Sequence, residues 1–167
     1  MRNALLVALF LVAVGAALPA QEGTVSFGVG AGVAVPHGEE DITEANADTV
    51  QPSFSWGYYV NIPLISTFYI TPSSTLYRIE ERNATDIDLA FKFMVPLDQF
   101  QIYAGFKPGL TTVPQETAPH VGILGGTSFE LVSNLDVFLD GTYSFLFLGN
   151  DRPRVFNIAA GLLFSFE

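Results

Sequence analysis

Thr24-Val25-Ser26-Phe27-Gly28-Val29-Gly30-Ala31-Gly32-Val33-Ala34-Val35 alternates without a break. Val25, Phe27, Val29, Ala31, Val33 and Val35 fall on one face, and Thr24, Ser26, Gly28, Gly30, Gly32 and Ala34 on the other. Period two held over this length describes a long strand with two unlike faces. The C-terminal stretch has the same character: Phe156, Ile158, Ala160, Leu162, Phe164 and Phe166 oppose Asn157, Ala159, Gly161, Leu163 and Ser165. The first and last strands therefore read alike.

Between them, six further segments alternate, at 53–62, 67–77, 86–95, 100–110, 120–131 and 135–145. Their apolar faces include Phe54, Trp56, Tyr58, Val60 and Ile62 in the first segment, and Ile87, Leu89, Phe91, Phe93 and Val95 in the third. The spacing predicts an all-β fold, an eight-stranded antiparallel up-and-down barrel. The odd connections, at 36–51, 80–85, 112–119 and 148–154, read as longer than the even ones at 63–66, 96–99 and 132–134. Short turns at one end and longer loops at the other, with both chain ends on the turn side, is the pattern of barrels that cross a membrane. Pro72 and Pro108 fall within strands and predict bulges or strand ends there.

A soluble barrel also alternates, so the composition of each face decides between water and lipid. The less apolar face carries Gly28, Gly30, Gly32, Gly57, Gly105, Gly109, Gly122, Gly126 and Gly161 among serines and threonines, where a water-facing surface would need large polar groups. Placing the Phe-rich face inside would overfill a narrow lumen, so the apolar face is assigned to lipid. A Lys or Arg at mid-bilayer on that face costs roughly 2–4 kcal/mol, and Arg78, near a strand end, is the clear exception to their absence. Phe54, Trp56, Tyr58, Phe100, Phe156, Phe164 and Phe166 lie toward strand ends, where an interfacial aromatic girdle belongs.

The N-terminus is read as a secretory signal peptide spanning 1–20, with Arg2, an apolar run from Ala4 to Leu18 and the small Ala20 before Gln21. The remaining 21–167 form one barrel domain. The 167 residues suit a single domain, and a composition of 49% hydrophobic and 14% charged fits neither a disordered chain nor a helical bundle. A net charge of −10 with seven Lys and Arg argues against nucleic acid as a partner. The absence of Cys excludes disulfides, thiolate metal sites and cysteine nucleophiles.

From Gly23 to Glu167 the chain resembles the small outer-membrane β-barrels of Gram-negative-type bacteria, of the broad OmpA-, OmpX- and OmpW-like kind. The stretches "GYYVNIPL", "FYITPSSTLY", "YAGFKPGL", "HVGILGGTSFEL" and "VFNIAAGLLFSFE" carry the resemblance. It implies an integral outer-membrane protein in contact with outer-membrane lipid and lipopolysaccharide, and assembled by the barrel-assembly machinery. That machinery is expected to recognise an aromatic C-terminal strand, here Phe156, Phe164 and Phe166, although Glu167 follows the last aromatic. The chain stops at its last strand, so the peptidoglycan-binding domain of larger OmpA-like proteins is not carried over.

Asp88, Lys92, Lys107, Glu130, Asp136 and Asp140 share the small-residue face and are expected to form a charge network inside the barrel. Such groups can line an ion path, but eight strands enclose a lumen that side chains just fill, which favours packing over conduction. Glu39, Glu40, Asp41, Glu44 and Asp48, close to His37, offer oxygen ligands without calcium-loop spacing, and read as a solvated acidic loop. His37 and His120 are the two histidines, and neither has a Ser two residues away as in lipid A deacylase barrels. Asn83-Ala84-Thr85 matches a glycosylation sequon that has little meaning in a bacterial loop. The reading is a structural or surface-interaction protein with no cofactor, no metal and no catalysis. A narrow porin-like passage for small or hydrophobic solutes, a lipid-modifying enzyme and a soluble periplasmic barrel are the alternatives.

Overall fold

The computed structural model describes residues 24–37, 51–65, 67–79, 82–148 and 152–166. The expected signal peptide, 1–20, and most of the acidic connection lie outside them. Eight strands account for nearly all of the rest: β1 Val25–His37, β2 Ser53–Ile65, β3 Phe68–Ile79, β4 Arg82–Leu97, β5 Phe100–Val113, β6 Glu116–Val132, β7 Leu135–Leu146 and β8 Arg154–Phe166. Each pairs antiparallel with its sequence neighbours, and β1 pairs with β8 from Val25↔Phe166 to His37↔Arg154. The sheet is a closed barrel, so no strand edge is left unpaired. The end that holds Val25 and Phe166 is called the turn end below, and the opposite end the loop end.

The expected eight strands and their up-and-down order are present, but the connections differ from expectation. β3 ends at Ile79 and β4 begins at Arg82, while β5 ends at Val113 and β6 begins at Glu116. Two of the four connections expected to be long are therefore as short as the turns at the other end. The expected loop residues at 82–85, which include the sequon, and at 116–119 belong to strands instead. The two long connections, 38–52 and 147–153, join β1 to β2 and β7 to β8, and the strand ends they leave from, His37 and Arg154, are paired across the β1–β8 seam.

Neither Pro72 nor Pro108 makes a bulge or ends a strand. On one side each lies in an unbroken register, Pro72↔Leu89 and Pro108↔Val121. On the other side the pairing lapses between Tyr59↔Ser73 and Ile62↔Ile70, and between Asp88↔Gly109 and Phe91↔Phe106, without changing register. A missing N–H removes a ladder bond, and nothing here requires an extra residue. The register shifts fall instead at Pro63/Ile65 and Glu130/Val132. Beside the first of these, Ile62 is 2% exposed, not on the open apolar face where the alternation put it.

The outer wall is apolar. Phe54 is 68% exposed, Ile123 61% and Phe93 55%, and exposed Phe, Leu, Ile and Val side chains recur on seven of the eight strands, all but β3. Such a surface far exceeds the apolar patches that water-soluble monomers tolerate, whereas hydrocarbon solvates it. The inner wall holds the small residues. An added Cβ at Gly28 would lie 2.4 Å from Cζ of Tyr59, and one at Gly30 2.6 Å from Cζ of Phe138. Large rings enter the lumen because the facing strands offer them no side chain. Gly125 and Gly141, which pair directly, are the exceptions among the described glycines: the nearest atoms to an added Cβ there lie at 3.6 and 3.8 Å.

Candidate functional site: a filled lumen and its charge network

One row of paired residues climbs around the barrel from the turn end of β1 toward the loop end of β7: Gly28, Tyr59, Ser73, Asp88, Gly109, His120 and Leu146. Gly109 stands between Asp88 and His120 in this row. Its missing side chain is what lets them meet, because an added Cβ would lie 2.5 Å from Asp88 Oδ1 and 2.8 Å from His120 Cε1. His120 Nε2 lies 2.5 Å from Asp88 Oδ1, and Lys107 Nζ lies 3.0 Å from Asp88 Oδ2. On the other side of the ring, Nδ1 is 2.8 Å from Thr111 Oγ1. The Thr111 hydroxyl donates to Asp86 Oδ1 at 2.7 Å, where the Tyr77 hydroxyl also donates at 3.1 Å.

A hydroxyl has one proton to give. That of Thr111 is directed at Asp86, and the cluster sets two buried carboxylates against Lys107 and the His120 ring. Asp86, Asp88, Lys107, Thr111 and His120 are all buried, and buried charge is tolerated when it is paired and hydrogen-bonded in this way. Asp86, Asp88 and His120 also bring ligand atoms within 4.8 Å of one another, a donor set divalent ions can use. The two carboxylates flank opposite ring nitrogens, however, and Lys107 occupies Asp88, so the set is built as an ion-pair network and not around one shared point.

The same device recurs nearer the turn end. Gly126 stands between Tyr103 and Asp140 in register, and the Tyr103 hydroxyl donates to Asp140 across it. Lys92 Nζ lies 4.6 Å from the Tyr59 ring centroid and 5.0 Å from that of Tyr103, positions in which the ring faces stabilise a cation. It also donates to Asn61 Oδ1 at 3.4 Å. Between the two charged layers is a cavity of about 60 Å³, lined in part by Tyr59, Lys92, Lys107 and Asp140. Its wall mixes polar and apolar side chains, and it has room for several waters at about 10–15 Å³ each. The Tyr59 hydroxyl, which has no hydrogen-bond partner among the described residues, borders it.

Of the residues expected to form an interior network, the structure thus brings Asp88 and Lys107 into direct contact and places Lys92 and Asp140 on either side of Tyr103. Glu130 and Asp136 are not in this network. They are cross-strand partners near the turn end and border a hollow of about 170 Å³ with Asp98 and Gln101. Asp86, Thr111, Tyr77 and Tyr103 were missed from sequence, and His120 was weighed solely as a catalytic group. Asp86 and Thr111 share the inward parity of Asp88 and Lys107, and that signal was available. Phe156, Phe164 and Phe166 lie on the outer face of β8, each at least 40% exposed.

Above the Asp86–His120 cluster the loop end is closed by an apolar group: Ala34, Tyr77, Ile79, Ala84, Val113, Leu146 and Val155. The order Thr111 hydroxyl, His120, Asp88 superficially has the nucleophile, base and orienting acid of acyl-transfer sites. Thr111 is 0% exposed, though, and its proton is directed at Asp86, so no reacting carbonyl can approach it in this arrangement.

No protein-family profile matches the sequence, and no curated protein is significantly similar to it. Solved structures are similar in fold. Neisserial surface protein A aligns with a TM-score of 0.72 at 16% identity, over 87% of this chain and 100% of that one. Ail, the attachment invasion locus protein of Yersinia pestis, aligns at 0.55 and 14% identity, over 87% and 100%. OprG from Pseudomonas aeruginosa aligns at 0.56 and 11% identity, over 85% and 96%. With its closed antiparallel sheet of eight strands, apolar wall and filled lumen, the chain has the fold of the small outer-membrane β-barrels.

Proposed function

We propose that this protein is an integral outer-membrane barrel whose sealed, rigid wall displays two adjoining loops at the cell surface, and that it neither conducts solutes nor catalyses a reaction. The carrying observation is the lumen: an apolar closure, a hydrogen-bonded charge cluster and an aromatic layer succeed one another along the barrel. An apolar exterior on seven of the eight strands and the likeness to outer-membrane barrels support the location. On this reading residues 1–20 are a cleaved export signal, the outer face contacts membrane lipid and lipopolysaccharide, and Phe156, Phe164 and Phe166 present the C-terminal strand to the assembly machinery. One fold neighbour is by name an attachment protein, and we assign this chain to the same broad class of surface-interaction proteins.

Cell fractionation with gel mobility before and after boiling tests the location, because a folded membrane barrel resists SDS until heated. Recovery in the outer membrane with a boiling-dependent shift is expected, and a detergent-free soluble protein with no shift would overturn the reading. In planar bilayers the purified protein should give no discrete conductance steps; reproducible steps would show an open path. Overexpression should leave lipid A chemically unchanged, and a newly modified lipid A would restore the enzyme alternative.

A further inference from the structure

Two seams in the wall lose paired residues, and both gaps hold a proline. Between β2 and β3 the pairing stops at Tyr59↔Ser73 and resumes at Ile62↔Ile70; between β4 and β5 it stops at Asp88↔Gly109 and resumes at Phe91↔Phe106. The register on either side sets Val60 opposite Pro72 and Leu89 opposite Pro108. A proline has no N–H, so the carbonyls of Val60 and Leu89 each lose the ladder bond that a facing residue would supply. β1 and β8, by contrast, pair from Val25↔Phe166 to His37↔Arg154 without a gap.

The two gaps are clamped unequally. Across β4 and β5, Lys107 Nζ lies 3.0 Å from Asp88 Oδ2, and both side chains are buried. Across β2 and β3 the clamp is neutral: the Thr71 hydroxyl donates to Asn61 Oδ1 at 2.8 Å. Hydrogen bonds between charged groups are about twice as strong as neutral ones. The β2–β3 seam also carries the register shift at Pro63/Ile65, just beyond its gap. Local opening begins where the fewest and weakest bonds must break, which selects this seam. The gap borders the lumen cavity, whose lining includes Tyr59, Thr71 and Ser73. That cavity lies between the apolar group at the loop end and the layer of Tyr59, Phe138 and Leu163, so water has no open path to it along the axis. Inward at the gap stand Asn61 and Thr71, both buried, an amide and a hydroxyl that can hand a water inward by hydrogen bonds.

We propose that the β2–β3 seam opens locally at Val60 and Pro72 while the rest of the barrel stays closed, and that water reaches the lumen cavity through it. The inference rests on the sealed lumen of the proposed function, but is tested apart from it. Amide hydrogen exchange of the full chain in detergent micelles, resolved by residue with NMR, provides the test. The amides of Val60, Ile62 and Ile70 should exchange at least about fivefold faster than those of Leu89, Phe91 and Phe106 across the clamped gap. Pro72→Ala restores the missing donor and should slow the first group by about fivefold, whereas Pro108→Ala should change the second by less than about twofold. Thr71→Val removes the neutral clamp and should speed the first group alone, again by about fivefold. Folding of each variant is checked by its boiling shift; if Pro72→Ala fails that check, Pro72→Val takes its place with the same expectation. Equal exchange at the two gaps overturns the proposal, as does a Pro72 variant that leaves the first group unchanged. Quickening of all eight strands together in Thr71→Val overturns it too, since opening would then be global. Conductance steps in planar bilayers would sink the sealed lumen and leave the difference between the two gaps standing.

Discussion

At the scale of the residue, the lumen works by omission. Gly109 and Gly126 bring no side chain, yet each stands between two groups that bond over it, Asp88 with His120 and Tyr103 with Asp140. Gly109→Ala is expected to destabilise the barrel by about 3 kcal/mol or more, since it separates a buried pair without removing either charge. Gly126→Ala should cost about 1–3 kcal/mol by overpacking. Gly125→Ala, on the outer wall with 3.6 Å to the nearest atom, should stay within about 0.5 kcal/mol. Urea unfolding in lipid vesicles, followed by Trp56 fluorescence, measures all three; equal costs at Gly109 and Gly125 would remove the bridging role. Alternation alone assigned these glycines to a cramped interior. It could not say what each one makes room for, because the residue opposite is fixed by register, and register by turns and bulges that leave little trace in local sequence. Asp86 shows the same limit: its parity was readable, but its partner Thr111 lies on β5.

At the scale of the element, the strands were legible in number, order and direction of face, and the hairpins were not. Pro, Asn and charged residues at 80–85 and 112–119 suggested open loops, yet β4 and β6 begin at Arg82 and Glu116 and keep alternating beyond the apolar belt. Polar residues in a strand above the membrane face water on one side, so they lose the contrast by which a strand is recognised. The turn between β5 and β6 has a measurable flaw: Gln115 adopts φ 76°, in the left-handed region where a Cβ is strained. Pro114 before it suits the first central position of such a turn. Gln115→Gly should therefore stabilise the barrel by about 0.5–1 kcal/mol in the same urea assay. A loss of stability would mean that the Gln115 side chain holds the turn in a way its backbone does not show. Asp98 adopts φ 52° in the turn between β4 and β5 and should gain less from the same change, because Asp tolerates this region better.

At the scale of the whole molecule, the closed sheet, the apolar wall and the filled lumen follow from one sequence property, two faces of unlike size repeated eight times. The lopsided loop end does not, since it depends on where strands stop. A further consequence lies in the seam. Val25 and Phe166 are direct partners, and β1 and β8 stay in register to His37↔Arg154, so the barrel records no place where its chain begins. Joining the present ends through a short linker and opening the chain between Pro114 and Gln115 should give a circular permutant that refolds from urea into lipid vesicles with its boiling shift intact. Inside cells the same permutant ends on β5, whose last residues Thr111, Thr112 and Val113 lack the phenylalanines of β8. If those phenylalanines are the mark by which the chain is received, the permutant will fold in a test tube and go undelivered in the cell; delivery at normal yield would show that the mark lies elsewhere. Refolding of the permutant would make thermodynamics indifferent to chain order in this protein, and biogenesis is where order would acquire meaning.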